Sequence, residues 1–202
     1  MITNELFLGL LAFSAVTCFT PGPNNAMLLA SGVNFGWSRS LPHVFGVALG
    51  FAFMVLAVGL GVGQLFEIVP ELYFVLRVAS IVYLLWLAWS IATAGAPDEP
   101  ASGARPLTFI EAALFQWINP KAWVMALGAT TTFAAAEALD VGVAVMAVVF
   151  AVMGFGSSAS WAGCGVGLRR YLQRPGLVRA FNFGMAALLV ASLGPVIAEW
   201  RR

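Results

Sequence analysis

The sequence predicts an all-α integral membrane protein with six transmembrane helices, arranged as two inverted repeats of three helices each. Of its 202 residues, 61% are hydrophobic and only 9% are charged, whereas soluble domains have about 45–50% apolar and about 25% charged residues. Six apolar stretches follow one another, and a charged, proline-rich linker divides them into two sets of three. A soluble core of this size cannot hide so much apolar surface, so lipid must cover the remainder.

The apolar stretches are long enough to cross a bilayer, for which about 20 residues suffice. They occupy residues 5–36, 42–66, 72–94, 107–133, 140–165 and 177–198. The linker at residues 95–106 separates a first repeat, residues 1–94, from a second repeat, residues 107–202. Because each repeat has an odd number of spans, the second must start on the opposite side of the membrane. This inverted arrangement is typical of many secondary transporters.

The first and fourth stretches are each interrupted near the middle, which predicts that helices 1 and 4 are broken. The interrupting motifs are Thr20-Pro21-Gly22-Pro23-Asn24-Asn25 and Gln116-Trp117-Ile118-Asn119-Pro120-Lys121. Proline lacks a backbone N–H and is favoured at the first position of a helix, after a capping residue such as Thr or Asn. Thr20 before Pro21 and Asn119 before Pro120 therefore predict new helix starts within the membrane.

The two breaks together predict a substrate-binding site. A helix start has unpaired N–H groups and partial positive charge, so it attracts anions. A lysine at the bilayer centre costs about 2.5–3.5 kcal/mol and usually faces a cavity. The helix starts and the lysine suit a carboxylate, and amide oxygens suit an ammonium group, so a zwitterionic amino acid fits. The predicted binding residues are Pro21, Gly22, Pro23, Asn24, Asn25, Gln116, Asn119, Pro120 and Lys121.

Two simpler explanations of these motifs are weighed against binding. Proline kinks without ligand roles are common in membrane helices, and a lysine can extend its charged end to the membrane surface. Two breaks at matching positions, together with Lys121 between them, favour the binding site.

Other side chains are assigned structural roles. Gly46 and Gly50 form a small-xxx-small pair that lets helix backbones approach closely, so we expect them to pack helices. Glu111 could carry a coupling proton, but a solvated carboxylate at a helix end is the preferred interpretation. His43, beside Arg39 and Pro42, is expected at the membrane interface, where it is a poor metal site.

The arginines predict the orientation. One side of the predicted membrane holds six of them and the other side holds three: Arg39, Arg105, Arg169, Arg170, Arg174 and Arg179 against Arg77, Arg201 and Arg202. Cytoplasmic loops have an excess of basic residues, so the side with six arginines is expected in the cytoplasm and both termini in the periplasm.

At these residues the chain resembles the lysine exporter/homoserine-threonine exporter family of bacterial amino-acid exporters. The matching elements are Thr20-Pro21-Gly22-Pro23-Asn24, the second span through Gly46 and Gly50, and Asn119-Pro120-Lys121. The resemblance covers nearly the whole chain in length, span order and linker position. Within the family, Asn24-Asn25 and residues 83–89 most resemble the cysteine/O-acetylserine exporter branch.

This resemblance implies a secondary transporter that exports small amino acids or their derivatives across the bacterial inner membrane, driven by the proton gradient. It also implies that the two halves rock by alternating access around Pro21, Gly22, Pro23, Asn24, Asn119, Pro120 and Lys121. The expected partners are the amino-acid substrate, protons and the lipid bilayer, and a homo-oligomer is left open. The spans contain no acidic residue clearly at mid-membrane, so the proton carrier is left unassigned.

Other functional classes fit the sequence less well. A transmembrane thiol–disulfide carrier needs a cysteine at each break, whereas Cys18 and Cys164 are not equivalently placed and are predicted as buried, inert thiols. A divalent-metal exporter needs several ligands in the spans, and the chain has one histidine. No nucleophile with a histidine base, phosphate loop or metal-ligand cluster is found, so no enzyme activity or cofactor is predicted. A net charge of +1 argues against a nucleic-acid partner.

Overall fold

The computed structural model describes residues 3–96, 99–100, 104–133, 139–172, 174–194 and 197. Within these ranges the chain is almost entirely helical. The helices are α1 (Asn4–Phe19), α2 (Pro23–Phe35), α3 (Trp37–Gly59), α4 (Leu65–Ile68), α5 (Glu71–Ala92), α6 (Phe109–Phe115), α7 (Pro120–Phe133), α8 (Leu139–Arg169) and α9 (Pro175–Ala191). Single 3-10 turns occupy Val62–Gln64 and Gln116–Ile118. Two short antiparallel strands, β1 (Gly95–Ala96) and β2 (Glu99–Pro100), lie in the linker.

Several of these helices can cross a membrane. In the described residues, three are long and apolar enough to do so alone: Trp37–Gly59, Phe74–Ala92 and Val141–Arg169. The α1–α2 pair meets the same test together and is bent by 55° at its break, while Phe109–Ile118 and Gly176–Ala191 are shorter apolar helices. A helical fold whose long apolar helices are compatible with a membrane protein is therefore confirmed. Six spans in two inverted repeats stays a prediction.

The first break separates α1 from α2. Thr20 ends α1, because its N–H and its hydroxyl both donate to the Val16 carbonyl. Gly22 precedes α2, and Pro23 occupies the first helical position. The expectation that Thr20 caps a helix starting at Pro21 is therefore wrong. The Thr20 hydroxyl is already bonded to the preceding helix, and Pro21 follows that helix as a residue that cannot continue it.

The second break lies between α6 and α7. The 3-10 turn Gln116–Ile118 extends α6, and the extended backbone of Asn119, with φ −84° and ψ 110°, interrupts the helix. α7 then begins at Pro120. The Asn119 side-chain oxygen accepts a hydrogen bond from the Lys121 N–H over 3.1 Å, which is the contact expected of a helix-capping asparagine.

The limits of α3 differ from the predicted stretch at residues 42–66. Gly36 has a φ of +78°, a conformation that favours glycine, and it lets the chain pass from α2 to α3 within one residue. α3 therefore begins at Trp37 and includes Pro42. It ends at Gly59, before Gly61 with its φ of +116°, and the chain continues as a 3-10 turn and the short α4.

Small residues allow close packing around α3. A Cβ added at Gly46 would lie 2.4 Å from the Phe109 carbonyl oxygen, and one added at Gly50 would lie 2.5 Å from the Ala113 Cα. Both glycines therefore lie where α3 contacts α6. α8 packs against both α3 and α2, and a Cβ at Gly32 would lie 2.1 Å from the Ala162 carbonyl oxygen. These contacts hold the interrupted helices against α3 and α8.

The largest hydrophobic cluster joins α1, α3, α7 and α8. The Phe51 and Phe150 rings meet edge to face within it, with centroids 5.2 Å apart, an arrangement that aromatic pairs favour. On the outside, large apolar side chains such as Trp89 and Val124 are exposed, as expected of a surface that contacts lipid. Cys164 is also exposed. The prediction that it is buried is wrong, because its apolar surroundings in the sequence belong to this outer surface.

Candidate functional site

The two helix breaks meet at one cavity with both polar and apolar lining, called here the central cavity. It encloses about 430 Å³ of space, including its open mouth, of which about 40 Å³ is accessible to water-sized molecules. The predicted site residues that line it are Gly22, Asn24, Asn25, Gln116, Asn119 and Lys121. The prolines of the predicted site, Pro21, Pro23 and Pro120, instead set the path of the backbone on either side.

Lys121 reaches from the first turn of α7 to the end of α1. Its ammonium group donates a hydrogen bond to the Thr20 carbonyl over 2.6 Å, and the side chain is half-buried. Carbonyls at a helix end have partial negative charge, so the contact is favourable. An ammonium group has three N–H donors, and this contact uses one of them. Lys121 can therefore bind a second partner in the cavity.

Gly22 provides the space for this lysine. A Cβ added at Gly22 would lie 2.8 Å from the Lys121 Cδ and 3.1 Å from its Nζ. Any larger residue at this position would push the lysine side chain away from α1. The glycine of the first break and the lysine of the second are therefore in direct contact.

Asn24 and Gln116 form an amide pair between the two predicted repeats. The Asn24 amide donates to the Gln116 side-chain oxygen over 2.9 Å, and the Gln116 amide donates back over 3.2 Å. The Gln116 amide also donates to the Ala112 carbonyl over 2.8 Å. The two side chains thus join the start of α2 to the turn before α7. In this conformation their polar groups bind each other.

Asn25 supports the break from within. Its buried amide donates to the Cys18 carbonyl over 2.9 Å and to the Thr20 carbonyl over 2.8 Å. These carbonyls at the end of α1 would otherwise lack helical partners. Asn25 therefore holds α1 and α2 in their bent arrangement, and its side-chain oxygen is the group left for another partner.

Ser157, Ser158 and Ser160 are candidates from the sequence for hydrogen bonds between helices or for lining the transport path, although none of them is among the predicted binding residues. α8 forms a wall of the central cavity. Ser157 and Ser158 are buried and line it, and the Ser157 hydroxyl donates to the Cys18 carbonyl over 2.7 Å. Gly154, one turn earlier, also lines the cavity. The spacing of small and polar residues on one face of an apolar helix is the signal in the sequence for this wall. Cys18 lies in the same cavity as a buried thiol.

A second cavity, called here the side cavity, lies next to the central one. It encloses about 820 Å³, including its open mouth, and is lined by parts of α2, α3, α5, α6 and the linker. Arg105 and Glu111 lie at its mouth as an ion pair with an N–O distance of 2.5 Å, and their side chains are 54% and 36% exposed. Glu111 also accepts from the Thr108 N–H in a capping box. Glu111 is thus a paired carboxylate at the start of α6.

His43 lines the side cavity and is only 2% exposed. His43 is therefore buried against neighbouring helices, and its expected position at the membrane interface stays a prediction. α3 begins before Arg39, so His43 lies on the second turn of a helix whose inner face is covered by its neighbours, rather than in a loop. In the described part of the chain, no group of three or more histidine, cysteine or acidic side chains could hold a metal ion.

An all-helical membrane protein with a partly polar cavity between two interrupted helices has the architecture of a transmembrane transporter. The chain belongs to the LysE type translocator family, whose family model matches residues 15–196. This match confirms the resemblance identified from the two proline motifs.

Two relatives illustrate the relationship. The cysteine/O-acetylserine efflux protein of Escherichia coli (strain K12) is 30% identical over 191 residues, covering 94% of this chain and 96% of the relative. The cysteine/O-acetylserine efflux protein of Shigella flexneri is 31% identical over 180 residues, covering 88% of this chain and 90% of the relative. No solved structure matches the chain at a significant level.

Proposed function

We propose that this protein exports small amino acids or their derivatives across the bacterial inner membrane by alternating access, coupled to protons. The observation that carries the proposal is the meeting of both helix breaks at the central cavity, with Lys121 between them. Broken helices that meet at a shared site are the usual way in which secondary transporters bind small charged solutes.

The carboxylate of the solute binds Lys121 and the helix starts. The ammonium group of Lys121 has donors beyond the one that Thr20 accepts. α7 begins one residue before Lys121, and α2 begins at Pro23 on the other side of the cavity. The N–H groups of a first helical turn add partial positive charge. The carboxylate therefore meets one full and two partial positive charges.

The ammonium group of the solute binds side-chain oxygen atoms that line the same cavity. Candidates are the side-chain oxygens of Asn24, Asn25 and Gln116 and the hydroxyl of Ser158. Binding the solute through Asn24 or Gln116 requires their mutual hydrogen bonds to open. Because this pair joins the two repeats, solute binding and movement of the repeats are linked through it.

Alternating access is supported by the way the helices pair. In the two-repeat scheme α3 corresponds to α8 and α5 corresponds to α9, and the structure packs α3 against α8 and α5 against α9. Packing of equivalent helices on each other fits two repeats related by inverted symmetry. Such repeats rock against one another around a fixed site. We propose the side with six arginines as the cytoplasmic side and a periplasmic location for both termini.

The names of the relatives suggest the first solutes to test. They are cysteine/O-acetylserine efflux proteins, and cysteine and O-acetylserine are both small zwitterions. The purified protein would be reconstituted in proteoliposomes loaded with radiolabelled amino acids, including these two, and efflux followed under an imposed pH gradient. We expect efflux of one or more small zwitterions to be faster than from equally loaded liposomes without protein. Efflux of none of them would contradict the proposal.

A further inference from the structure

His43 lies beside the side cavity without a hydrogen-bond partner. Among the described residues, no group within hydrogen-bonding distance pairs with its Nδ1 or its Nε2, and both atoms are inaccessible. A neutral imidazole has one N–H donor and one acceptor. Leaving both unpaired inside a protein is unfavourable, so a buried group of this kind calls for an explanation. Packing alone does not explain the histidine, because a leucine or methionine would fill a similar volume without leaving a polar group unpaired.

The position of His43 connects the two cavities. His43 lines the side cavity, and Val47, one turn further along α3, lines the central cavity; one turn is about 5.4 Å. On α2, Asn25 lines the central cavity and Met27 lines the side cavity. A change in how α2 and α3 pack around His43 therefore changes the walls of the solute site as well.

We propose that His43 is the proton-binding group of this exporter and exchanges its proton with water that enters through the side cavity. The inference rests on the proposed function, since it assigns a residue to the proton coupling of solute export. In the proton-free state the imidazole is neutral, as the present conformation requires. One proton from the water of the side cavity converts it to imidazolium, and the reverse step returns the proton to that water.

Charged side chains lie near His43 on several of the elements that pack against α3 in the described chain. Arg39 lies one turn earlier on α3 itself, with its guanidinium over the Phe35 ring. Arg169 ends α8 close to Gly36, whereas Asp140 belongs to the opposite end of that helix. α7 contributes Lys121 in the central cavity, and Arg105 and Glu111 form the mouth of the side cavity. α2 contributes no charged side chain.

These surroundings determine the direction of the coupling. An imidazolium has two N–H donors and needs two acceptors, which the present packing does not offer. Among the described residues, Glu111 is the one acidic side chain lining the side cavity, and it is bound to Arg105. Proton binding therefore favours an arrangement in which water or the released Glu111 carboxylate reaches the ring. Acidification of the solution to which the side cavity opens drives the protein toward that arrangement. Proton release returns the protein to the present one.

The test compares the His43→Gln and His43→Asn variants with the unaltered protein in proteoliposomes, using radiolabelled cysteine and O-acetylserine. Two quantities are measured: exchange of labelled for unlabelled solute without a gradient, and solute accumulation driven by a gradient of about one pH unit. If one proton is exchanged per solute, such a gradient supports a concentration ratio of about 10. Both variants are expected to exchange solute and to reach a ratio of about 1, because an uncharged amide cannot carry the proton.

The controls separate this inference from the proposed function. Ser90→Ala also alters the lining of the side cavity but removes no titratable group, so it should keep its response to the gradient. If the unaltered protein exchanges no solute, the proposed function fails. If it exchanges and accumulates solute, and either His43 variant still accumulates it fully, the assignment of His43 is overturned. Loss of exchange in both correctly folded variants would also overturn it, since His43 would then act in solute movement.

Discussion

At the scale of single residues, the central cavity depends on side chains that bridge the two helix breaks. Lys121 binds the Thr20 carbonyl, Gly22 gives it room, and Asn24 pairs with Gln116. Each of these contacts joins a residue of the first repeat to one of the second. A substitution at any of them therefore affects the relation between the repeats as well as the cavity itself.

Replacing Lys121 by methionine should weaken solute binding while leaving the protein folded. The methionine keeps the apolar stem but removes the ammonium group. A hydrogen bond to a charged group is worth about 1.5–3 kcal/mol, so affinity should fall roughly 10- to 100-fold. Isothermal titration with the transported solute measures the loss, and size-exclusion chromatography checks folding. Unchanged affinity in a folded Lys121→Met protein would remove this residue from the site.

Replacing Gly22 by alanine should weaken transport through its effect on Lys121. The added Cβ would lie 2.8 Å from the Lys121 Cδ, so the flexible side chain must move away from the Thr20 carbonyl. We expect a severalfold higher KM with little change in thermal stability. Gly184→Ala on α9 is the matched control, because a Cβ there meets no atom within 4 Å. Equal transport by both variants would contradict the role of the Gly22–Lys121 contact.

At the scale of elements, the fold depends on close contact between α3 and the helices around it. α6 approaches α3 at Gly46 and Gly50, and α8 approaches both α3 and α2. The cavity walls are formed by these same helices, so their spacing determines the shape of the site. The spacing in turn depends on glycines such as Gly46 and Gly50, which have no side chain.

Replacing Gly46 by alanine should destabilise the protein. The new Cβ would lie 2.4 Å from the Phe109 carbonyl oxygen, and because this atom belongs to the backbone, α3 and α6 must separate. Overpacking of this kind costs about 1–3 kcal/mol. Thermal unfolding in detergent should therefore show a lower Tm. The control Gly167→Ala adds a Cβ to α8 where nothing lies within 4 Å, and it should leave the Tm unchanged or raise it. A Tm for Gly46→Ala as high as that of the control would contradict this account.

At the scale of the whole molecule, two amide pairs connect the two predicted repeats. Asn24 pairs with Gln116 at the central cavity, and Asn34 of α2 pairs with Asn182 of α9 through hydrogen bonds of 2.9 and 3.2 Å. Both pairs join side chains on opposite sides of the boundary between the repeats. Rocking of one repeat against the other must therefore break or shift at least one of them.

Joining the repeats covalently should stop transport. Cysteines would replace Asn34 and Asn182 in a protein in which Cys18 and Cys164 are changed to alanine, and oxidation would link them. Transport should fall to the background level and return after reduction. The matched control links positions 31 and 40, where Ser31 and Ser40 are hydrogen-bonded over 2.8 Å within the first repeat. Transport by a fully cross-linked protein that matches this control would argue against movement between the repeats.

The helix breaks could be predicted from the sequence because proline disrupts a helix through its own covalent structure. Which proline begins α2 could not, since the answer depends on the Thr20 hydroxyl binding the preceding turn. The composition of the central cavity was predicted in part, from polar residues beside the breaks. The pairing of Asn24 with Gln116 and the burial of His43 depend on how distant helices approach one another. Local patterns do not encode that approach.

The Lys121–Thr20 hydrogen bond also affects how tightly this protein can hold its solute. In this conformation the ammonium group has an internal ligand, the Thr20 carbonyl. An arriving carboxylate uses the remaining N–H donors and shares the ammonium group with that carbonyl, so it gains less than it would from a lysine without an internal partner. Affinity is thereby kept moderate. Because differences in affinity arise mainly in the dissociation rate, the residence time of the solute stays short. Rapid release is what an exporter needs once its cavity faces the outside.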